Sequence, residues 1–488
     1  MKKNIITTAL CLFFAGLTLA NAPDWQQKIG RSAMRKLQTF GTVDVLIVLQ
    51  EQADVSLARS FDTKDERGTY VYTQLSQTAM RTQANLKASL TANNLQFRSF
   101  WAVNAVFVEH VTATDLQRIA ERSEVREIIL DGSLSDAKPM PAPHTTNGTE
   151  ARILANVTWG IAKIKADQVW SLGYTGQGVV VAGQDTGISW EEVPIKEKYR
   201  GWNGTTADHN YNWHDAIHGR NPHFTDDNPL GYDIQAPNDD NAHGTHTVGT
   251  MVGNVDDAGT SIGVAPNAKF IGCRNMERGW GMPSTYIECF QWFIAPTNLA
   301  NASPDPTKAP HVINNSWGCP PDEGCDASNF SVMDAVVANV KAAGIVVVVS
   351  AGNSGSSCST VQDPAAMFEP SFSVGASNDM DGIANFSSRG PVTVDGSNRR
   401  KPNVSAPGVN VRSVTPGGSF SNWSGTSMAG PHVAGAVALL ISAKPALAGR
   451  VEMIEDIFEQ TANHATTTDG CGGDSPTASP NNTFGFGV

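Results

Sequence analysis

Three short segments that lie far apart in the chain carry the side chains of nucleophilic acyl chemistry. Asp185 follows a short apolar run, His243 lies near the middle of the chain, and Ser427 lies near its end. A serine hydroxyl is a poor nucleophile at neutral pH until an imidazole takes its proton, and a buried carboxylate holds that imidazole in the required tautomer. We therefore predict that Ser427 attacks, that His243 transfers the proton and that Asp185 orients His243.

The sequence around each of these residues suits its role. A run of valines ahead of Asp185 predicts a buried parallel strand, and open α/β sheets place their sites at the carboxyl ends of such strands. His243 stands at the start of a helical pattern. Ser427 precedes the apolar helical run 428–441, whose first turn offers free N–H groups to a developing oxyanion. We expect Pro431 in that first turn, where an amide hydrogen has no partner inside the helix.

The order Asp, His, Ser is the subtilisin order, and the three segments together resemble the subtilase family. The segments are Asp185-Thr186-Gly187, His243-Gly244-Thr245-His246-Thr247 and Gly425-Thr426-Ser427-Met428-Ala429-Gly430-Pro431-His432. The resemblance implies a subtilisin-like, doubly wound α/β domain with a mainly parallel sheet, and a secreted serine endopeptidase that works through an acyl-enzyme. Other details are most similar to bacillopeptidase F-type members. A catalytically silent protein with the same fold, used for binding, is the alternative.

Two further segments complete the site by resemblance. Asn353 corresponds to the side-chain donor of the subtilase oxyanion hole, with the Ser427 backbone N–H as its partner. The segments that correspond to substrate-pairing backbone are Ser316, Trp317, Gly318 and Ser350, Ala351, Gly352. Backbone pairing accepts almost any polypeptide, while side-chain pockets give preference. The glycines predict room for a large apolar P1 residue beside Trp317, although Trp317 equally suits core packing.

The first part of the chain predicts a separate small domain. Strands are predicted at Val43–Leu49, Ala105–Val111 and Val125–Leu130, and helical spacing runs over residues 71–90. Thr114 and Gln117 predict a capping box at the start of a second helix. The order is close to β-α-β-β-α-β, which indicates a small α+β, ferredoxin-like domain.

The resemblance gives this small domain a role. Residues 23–136 correspond to the propeptide of subtilases, which inhibits the enzyme within the same chain and assists its folding. An accessory domain that stays in the mature enzyme is the alternative. The Pro-rich residues 137–152 predict an exposed processing linker, with the cut between residues 135 and 152. Residues 153–488 then form the peptidase domain.

The start of the chain predicts export. Residues 1–22 combine two lysines, an apolar stretch over residues 5–19 and the small-residue end Ala20-Asn21-Ala22, which is typical of a cleaved signal peptide. A membrane anchor is the alternative, but the apolar stretch is short for spanning a bilayer. We therefore predict a secreted protein with no membrane span.

Composition narrows the classes of partner. The chain has 488 residues, 40% hydrophobic and 17% charged, which is typical of globular proteins and not of disordered ones. A net charge of −12 disfavours nucleic acid or an anionic membrane as the main partner. The predicted partners are polypeptide substrates and the chain's own propeptide, and we expect a monomer.

Cysteine and acidic residues suggest structural cross-links. Six cysteines remain beyond residue 22, which favours disulfides in an exported protein, and Cys319–Cys325 is the attractive local pair. Zinc bound by these cysteines is the rival interpretation.

The chemistry needs no cofactor, but the resemblance implies structural calcium, for which Asp226-Asp227-Asn228 or Asp239-Asp240 could supply oxygens. Gln184 stands before Asp185, where relatives usually have an apolar residue, so an amide buried there needs either hydrogen-bond partners or exposure to water.

Overall fold

The computed structural model describes residues 24–133, 153–154 and 156–488. The predicted signal peptide and processing linker lie outside these residues. The N-terminal part contains helices α1 to α5 and strands β1 to β4. The helices are α1 Asp24–Gln27, α2 Arg31–Phe40, α3 Lys64–Thr82, α4 Ala84–Ala92 and α5 Ala113–Ala120. The strands are β1 Val43–Leu49, β2 Phe97–Phe100, β3 Ala105–Val111 and β4 Val125–Leu130.

These four strands form an antiparallel sheet in the order β2-β3-β1-β4, which is the ferredoxin-like arrangement. Two local predictions were wrong. The helical spacing over residues 71–90 belongs to two helices separated at Gln83, whose buried amide donates to the Phe100 carbonyl. The capping box of α5 is formed by Thr112 and Asp115, because the helix already includes Thr114.

The C-terminal part contains eleven strands and eight helices among the described residues. The strands are β5 Ile153–Leu154, β6 Val157–Thr158, β7 Val180–Asp185, β8 Trp213–Asp215, β9 Lys269–Arg274, β10 Val312–Asn315, β11 Val346–Ser350, β12 Phe372–Ser377, β13 Val404–Pro407, β14 Val411–Thr415 and β15 Ser419–Trp423. The helices are α6 Trp159–Lys163, α7 Ala166–Ser171, α8 Val193–Lys196, α9 His243–Val252, α10 Pro283–Ile294, α11 Phe330–Ala342, α12 Thr426–Ala443 and α13 Val451–Thr461.

A seven-stranded sheet in the order β13-β12-β11-β10-β7-β9-β8 organises this part, and every pairing in it is parallel. The chain moves to one side of β7 for β8 and β9, then crosses to the other side for β10 to β13. Ligands of open α/β sheets bind at such a reversal, beyond the carboxyl ends of the strands. The doubly wound α/β fold that the sequence predicts is therefore confirmed.

The two parts of the chain share an apolar core. Phe290 of α10 and Val336 of α11 belong to the same buried cluster as Leu46 of β1 and Phe107 of β3. A second core covers the opposite face of the seven-stranded sheet, and a third covers the outer face of the four-stranded sheet. The four-stranded sheet therefore lies directly against α10 and α11.

Three disulfides join the six cysteines of the described residues: Cys273–Cys289, Cys319–Cys325 and Cys358–Cys471. The predicted local pair is present, and these residues leave no free thiol for zinc. Among the described helices, α12 is long and apolar enough to cross a membrane, but 78% of it is buried inside the protein. It is a core helix in this fold.

Candidate active site

The structure brings Asp185 and His243 into direct contact at the reversal point of the parallel sheet. Asp185 ends β7, and His243 begins α9. His243 Nδ1 lies 2.8 Å from Asp185 Oδ1, and both side chains are only 1% exposed. The other imidazole nitrogen, Nε2, is buried and has no hydrogen-bond partner among the described residues. The ring is therefore held through one nitrogen, and the second is available for proton transfer.

The surroundings of His243 favour its protonated form. Burial acts to lower the pKa of this imidazole, but the charge and the hydrogen bond of Asp185 outweigh burial and raise the pKa of His243 above 6.5. The more distant carboxylate of Asp239 acts in the same direction. The site can thus carry the positive charge that His243 gains when it accepts a proton.

Asp239 fixes the start of α9, a role that the sequence analysis did not assign to it. Its carboxylate accepts hydrogen bonds from the backbone N–H groups of Asn241, Ala242 and Thr245. It also accepts the hydroxyl of Thr186 at 2.8 Å. Because Thr186 directly follows Asp185, one carboxylate ties the end of β7 to the helix that begins with His243. The available signal was an Asp just ahead of a helix, where such residues cap N–H groups.

Ser427 is the second residue of α12, and its hydroxyl donates to the Ser316 carbonyl at 3.1 Å. The hydrogen bond from Ser427 to His243 is therefore not formed in this structure, since His243 Nε2 has no partner. Catalytic hydrogen bonds are often long or absent until substrate is bound. Ser427 lies beside the end of β10 and is turned toward that strand.

Pro431 explains a second contact between Ser427 and Ser316. The helix begins at Thr426, so Pro431 lies inside α12 and not in its first turn, and that prediction was wrong. Proline has no N–H to give to the carbonyl four residues earlier, which is that of Ser427. Ser316 Oγ donates to this carbonyl at 3.0 Å instead. A side chain of the neighbouring loop thus replaces a missing helical hydrogen bond.

Asn353 is held so that its amide can donate. Its Oδ1 atom accepts hydrogen bonds from the Thr426 backbone N–H and hydroxyl, at 2.9 and 3.0 Å. Its Nδ2 group has no hydrogen-bond partner in the described part of the chain, and the residue borders a cleft. The Ser427 N–H lies in the first turn of α12, where no acceptor inside the helix is available. Asn353 and Ser427 border the same cleft, so both donors are available there.

A cleft of about 500 Å³ opens beside Ser427. Five of the six predicted substrate-binding residues border it, namely Ser316, Trp317, Gly318, Ser350 and Gly352. The sixth, Ala351, is buried and does not border the cleft. The two segments follow β10 and β11, which are adjacent parallel strands. Backbone from both strands therefore lines the cleft.

Trp317 both borders the cleft and packs in the core. It is 5% exposed and stacks on Tyr286 of α10, with 3.9 Å between the ring centres. Gln184, whose buried amide needs a partner, donates to the Tyr286 carbonyl at 3.0 Å. Tyr286 therefore supports both the cleft wall and the strand that carries Asp185.

Two carboxyl groups that the sequence analysis missed also border the cleft, Glu323 and Asp363. Glu323 is buried and accepts the Tyr286 hydroxyl at 2.5 Å. Burial raises the pKa of Glu323 to about 8 in spite of that hydrogen bond. Asp363 is half-buried, and burial raises its pKa as well. No motif marks either residue, because the distant loops that carry them meet only in the folded protein.

The two acidic segments proposed for calcium do not fit a metal site. Asp239 is occupied by the cap of α9, and Asp240 accepts from Asn228 at 2.6 Å and lies 3.6 Å from Arg274. Asp226 pairs with Arg278 at 3.1 Å. Among the described residues, no group of three or more His, Cys, Asp or Glu side chains is placed to hold a metal ion. These oxygens already have donors from the protein.

The chain is similar in sequence to known proteins. The sequence profile of the subtilase family matches residues 176–487. Bacillopeptidase F of Bacillus subtilis (strain 168) is 34% identical over 441 residues, which cover 87% of this chain and 28% of that protein. Subtilisin E of the same strain is 33% identical over 312 residues, covering 63% of this chain and 67% of subtilisin E.

A third relative extends the comparison to another organism. The alkaline protease of Alkalihalobacillus alcalophilus is 31% identical over 357 residues, 70% of this chain and 78% of that protein. The chain thus spans little more than a quarter of bacillopeptidase F but most of the length of the shorter relatives. The family profile covers the whole parallel sheet together with Asp185, His243 and Ser427. The chain belongs to the subtilase family of serine endopeptidases.

Proposed function

We propose that the chain cleaves polypeptides through an acyl-enzyme formed on Ser427, with His243 as the general base and Asp185 as the residue that orients it. The observation that carries this proposal is the 2.8 Å contact between Asp185 and His243 Nδ1, which leaves a buried Nε2 without a partner. A base held in this way has one nitrogen fixed and one ready to accept a proton.

The first chemical step needs one rotation. The Ser427 hydroxyl leaves the Ser316 carbonyl, donates to His243 Nε2 and attacks the scissile carbonyl carbon while His243 takes the proton. Asn353 Nδ2 and the Ser427 N–H stabilise the oxyanion that forms. His243 then protonates the leaving amine, and water repeats the sequence to release the acyl group. Throughout, Asp185 stabilises the cationic His243.

Substrate binding is proposed to use the backbone on both sides of the cleft. An extended peptide would pair with residues 316–318 on one side and residues 350–352 on the other, with its scissile bond beside Ser427. Main-chain hydrogen bonds supply affinity that does not depend on the substrate's sequence. Such a site suits an endopeptidase that acts on proteins.

Residues 23–136 are proposed to act as an intramolecular inhibitor that is cut away. Polar contacts support a specific interface: Gln291 Oε1 of α10 accepts the N–H groups of Trp101 and Ala102 at 2.6 and 3.0 Å. At the end of this domain, Gly132 lies so close to Gly324 that a Cβ on Gly324 would come within 2.4 Å of the Gly132 carbonyl oxygen. Because Glu323 borders the cleft, the last described residues of this domain lie close to the proposed substrate site.

Sequence supports the role of the N-terminal domain and the export of the protein. The alignment with bacillopeptidase F covers 87% of the chain and therefore reaches well ahead of residue 176 into the N-terminal domain, so this domain is shared with a relative. Export is proposed from the charged start, apolar stretch and small-residue end of residues 1–22. Secretion as a zymogen would keep the protease inactive until it has left the cell.

Intact mass measurement tests the proposal. The wild-type chain from residue 23 onward is expected to cut itself between residues 135 and 152, and the larger fragment should gain one adduct from a fluorophosphonate. Ser427→Ala should stay uncut, unlabelled and unable to hydrolyse casein. Asn353→Ala should be labelled slowly and lose about 100- to 1000-fold in turnover, the loss known for an oxyanion-hole donor in subtilisin. Casein hydrolysis by Ser427→Ala would contradict the assignment.

A further inference from the structure

The position of Ser427 determines where the P1 side chain must go. The scissile carbonyl has to lie between the Ser427 hydroxyl and Asn353, so the side chain next to it enters the space between Gly318 and Gly352. That space is part of the cleft that also borders Glu323 and Asp363. A Cβ placed on Gly318 would lie 3.5 Å from Asp363 Cβ and 3.8 Å from its Oδ2 atom. A P1 side chain that passes Gly318 therefore meets the Asp363 carboxylate.

Asp363 has no counter-charge. In the described part of the chain its carboxylate makes no hydrogen bond or ion pair, and only its backbone carbonyl has a partner, the Met367 N–H at 3.3 Å. Unpaired carboxylates in partly dry surroundings are costly, so proteins normally pair them with a cation or with several donors. The pairing position beside Asp363 is open to the cleft.

The cation that borders the same cleft is already engaged elsewhere. Arg278 pairs with Asp226 at 3.1 Å and donates to the Asp227 carbonyl at 2.6 Å. Its guanidinium also lies 4.6 Å from the centre of the Phe224 ring. Arg278 therefore does not neutralise Asp363.

Glu323 adds a second acceptor to the same part of the cleft. Its Oε2 atom holds the Tyr286 hydroxyl, and the nearby Asp363 is one of the groups that keep Glu323 from ionising. Two carboxyl groups that share a pocket oppose each other's ionisation, and a cation that enters between them relieves that repulsion. A neutral apolar side chain would instead bury the Asp363 carboxylate without a partner.

Resting on the proposed function, we infer that this site cleaves after a basic residue, lysine or arginine, and that Asp363 determines this preference by pairing with the P1 cation. The apolar stem of either side chain would lie along Trp317 and the two glycines, and the charged end would reach the carboxylate. This replaces the large apolar P1 residue that the glycines and Trp317 suggested from sequence.

The test uses the protein expressed from residue 23 onward after it has processed itself, and quenched peptides that differ only at P1, which is Lys, Arg, Leu, Phe or Glu. Wild-type kcat/KM is expected to be at least about 30-fold higher for Lys and Arg than for Leu and Phe, as pairing of a desolvated charge implies. Asp363→Asn should lose most of that ratio, because kcat/KM falls for the Lys and Arg peptides and rises for the Leu and Phe peptides, which no longer bury an unpaired carboxylate. Asp363→Glu should keep part of the ratio.

The controls separate this inference from the proposed function. Asp456→Asn, which removes a charge from the exposed face of α13, should leave the ratio unchanged. Fluorophosphonate labelling reports a competent Ser427 in every variant, so loss of folding is recognised directly. When the wild type is labelled, three results would overturn the inference alone. They are a wild-type preference for Leu or Phe, no cleavage of any of the peptides, and a preference for Lys and Arg that is unchanged in Asp363→Asn. Absence of labelling and of all cleavage in the wild type would overturn the proposed function.

Discussion

In the proposed mechanism, His243 accepts the proton of Ser427 only while its imidazole is neutral. The contact with Asp185 raises the pKa of His243, so protonation removes the base at a higher pH than for an ordinary histidine. We expect kcat/KM to fall on the acid side with a midpoint above 6.5, measured as a pH–rate profile of peptide hydrolysis.

Replacing the partner of His243 provides the control. Asp185→Asn removes the charge that raises the pKa and leaves His243 in the wrong tautomer, so kcat is expected to fall about 10⁴-fold. The residual acid midpoint should move to lower pH, because burial is then opposed only by the more distant charge of Asp239. A wild-type midpoint at or below 6.5, or an unmoved midpoint in Asp185→Asn, would contradict this account of the base.

At the scale of elements, the first turns of α12 depend on a hydrogen bond from the loop after β10, in which Ser316 donates to the Ser427 carbonyl. Ser316→Ala leaves the Ser427 carbonyl without a donor, which should cost about 1–3 kcal/mol of unfolding free energy. Adding Pro431→Ala supplies a backbone N–H to the same carbonyl and should recover part of the loss. Urea unfolding of the four combinations in a Ser427→Ala background, which prevents self-digestion, measures the coupling. Strictly additive losses would show that Pro431 and Ser316 do not share this carbonyl.

The junction between β4 and α10 is expected to respond to pH. Asp131, which follows β4, accepts the N–H and hydroxyl of Ser284 in the first turn of α10, at 2.8 and 2.6 Å. Burial raises the pKa of Asp131 from 3.8 to about 6 in spite of these hydrogen bonds. A raised carboxyl pKa means that the protonated form is favoured in the folded protein. Its contribution to stability is therefore complete below pH 3.8 and is lost as pH rises through about 6.

Asp131→Asn isolates that contribution. The amide does not titrate, so the variant should gain stability relative to its parent as pH rises from about 4 to about 7, by up to about 3 kcal/mol. Urea midpoints of both proteins in the Ser427→Ala background give the difference at each pH. A difference that stays constant over this range would show that Asp131 is not desolvated at the interface.

Sequence predicts some elements well for a physical reason. The buried strands β1, β3 and β4 are rich in Val, Ile and Leu, and their predicted limits agree with the observed ones. The strand β8, Trp213–Asp215, was missed because it is short and polar. Its Asp215 lies 3.7 Å from the buried Arg274, a partner that is distant in sequence.

Some residues of the candidate site could be predicted from the sequence, and others could not. Asp185, His243 and Ser427 stand in motifs whose local context could be interpreted directly. Asp239 joins Thr186 to the start of α9, and Asp363 borders the cleft, only because distant segments meet in the folded protein, which no periodicity reports. The misplacement of Pro431 arose because the helix begins with Thr426, where the Asn353 side chain accepts the first N–H group.

At the scale of the whole molecule, one disulfide closes a long stretch of chain. Cys358–Cys471 spans 113 residues and ties the loop after Asn353 to the C-terminal segment, whereas Cys319–Cys325 spans 6. Because a cross-link restricts the unfolded chain more when its loop is longer, we expect paired Cys→Ser changes to cost about 5 and about 2 kcal/mol. Urea unfolding of the Ser427→Ala forms measures both. Equal losses would contradict the loop-length argument.

The apolar core that β1 and β3 share with α10 and α11 would make the proposed activation irreversible. Once residues 24–133 part from the rest, the face of their sheet that carries Leu46 and Phe107 meets water. A fragment in that state exposes apolar surface and unfolds locally with little cost in free energy. An active protease beside it would digest it. Each protease molecule would then be released from inhibition only once, because the digested fragment cannot bind again.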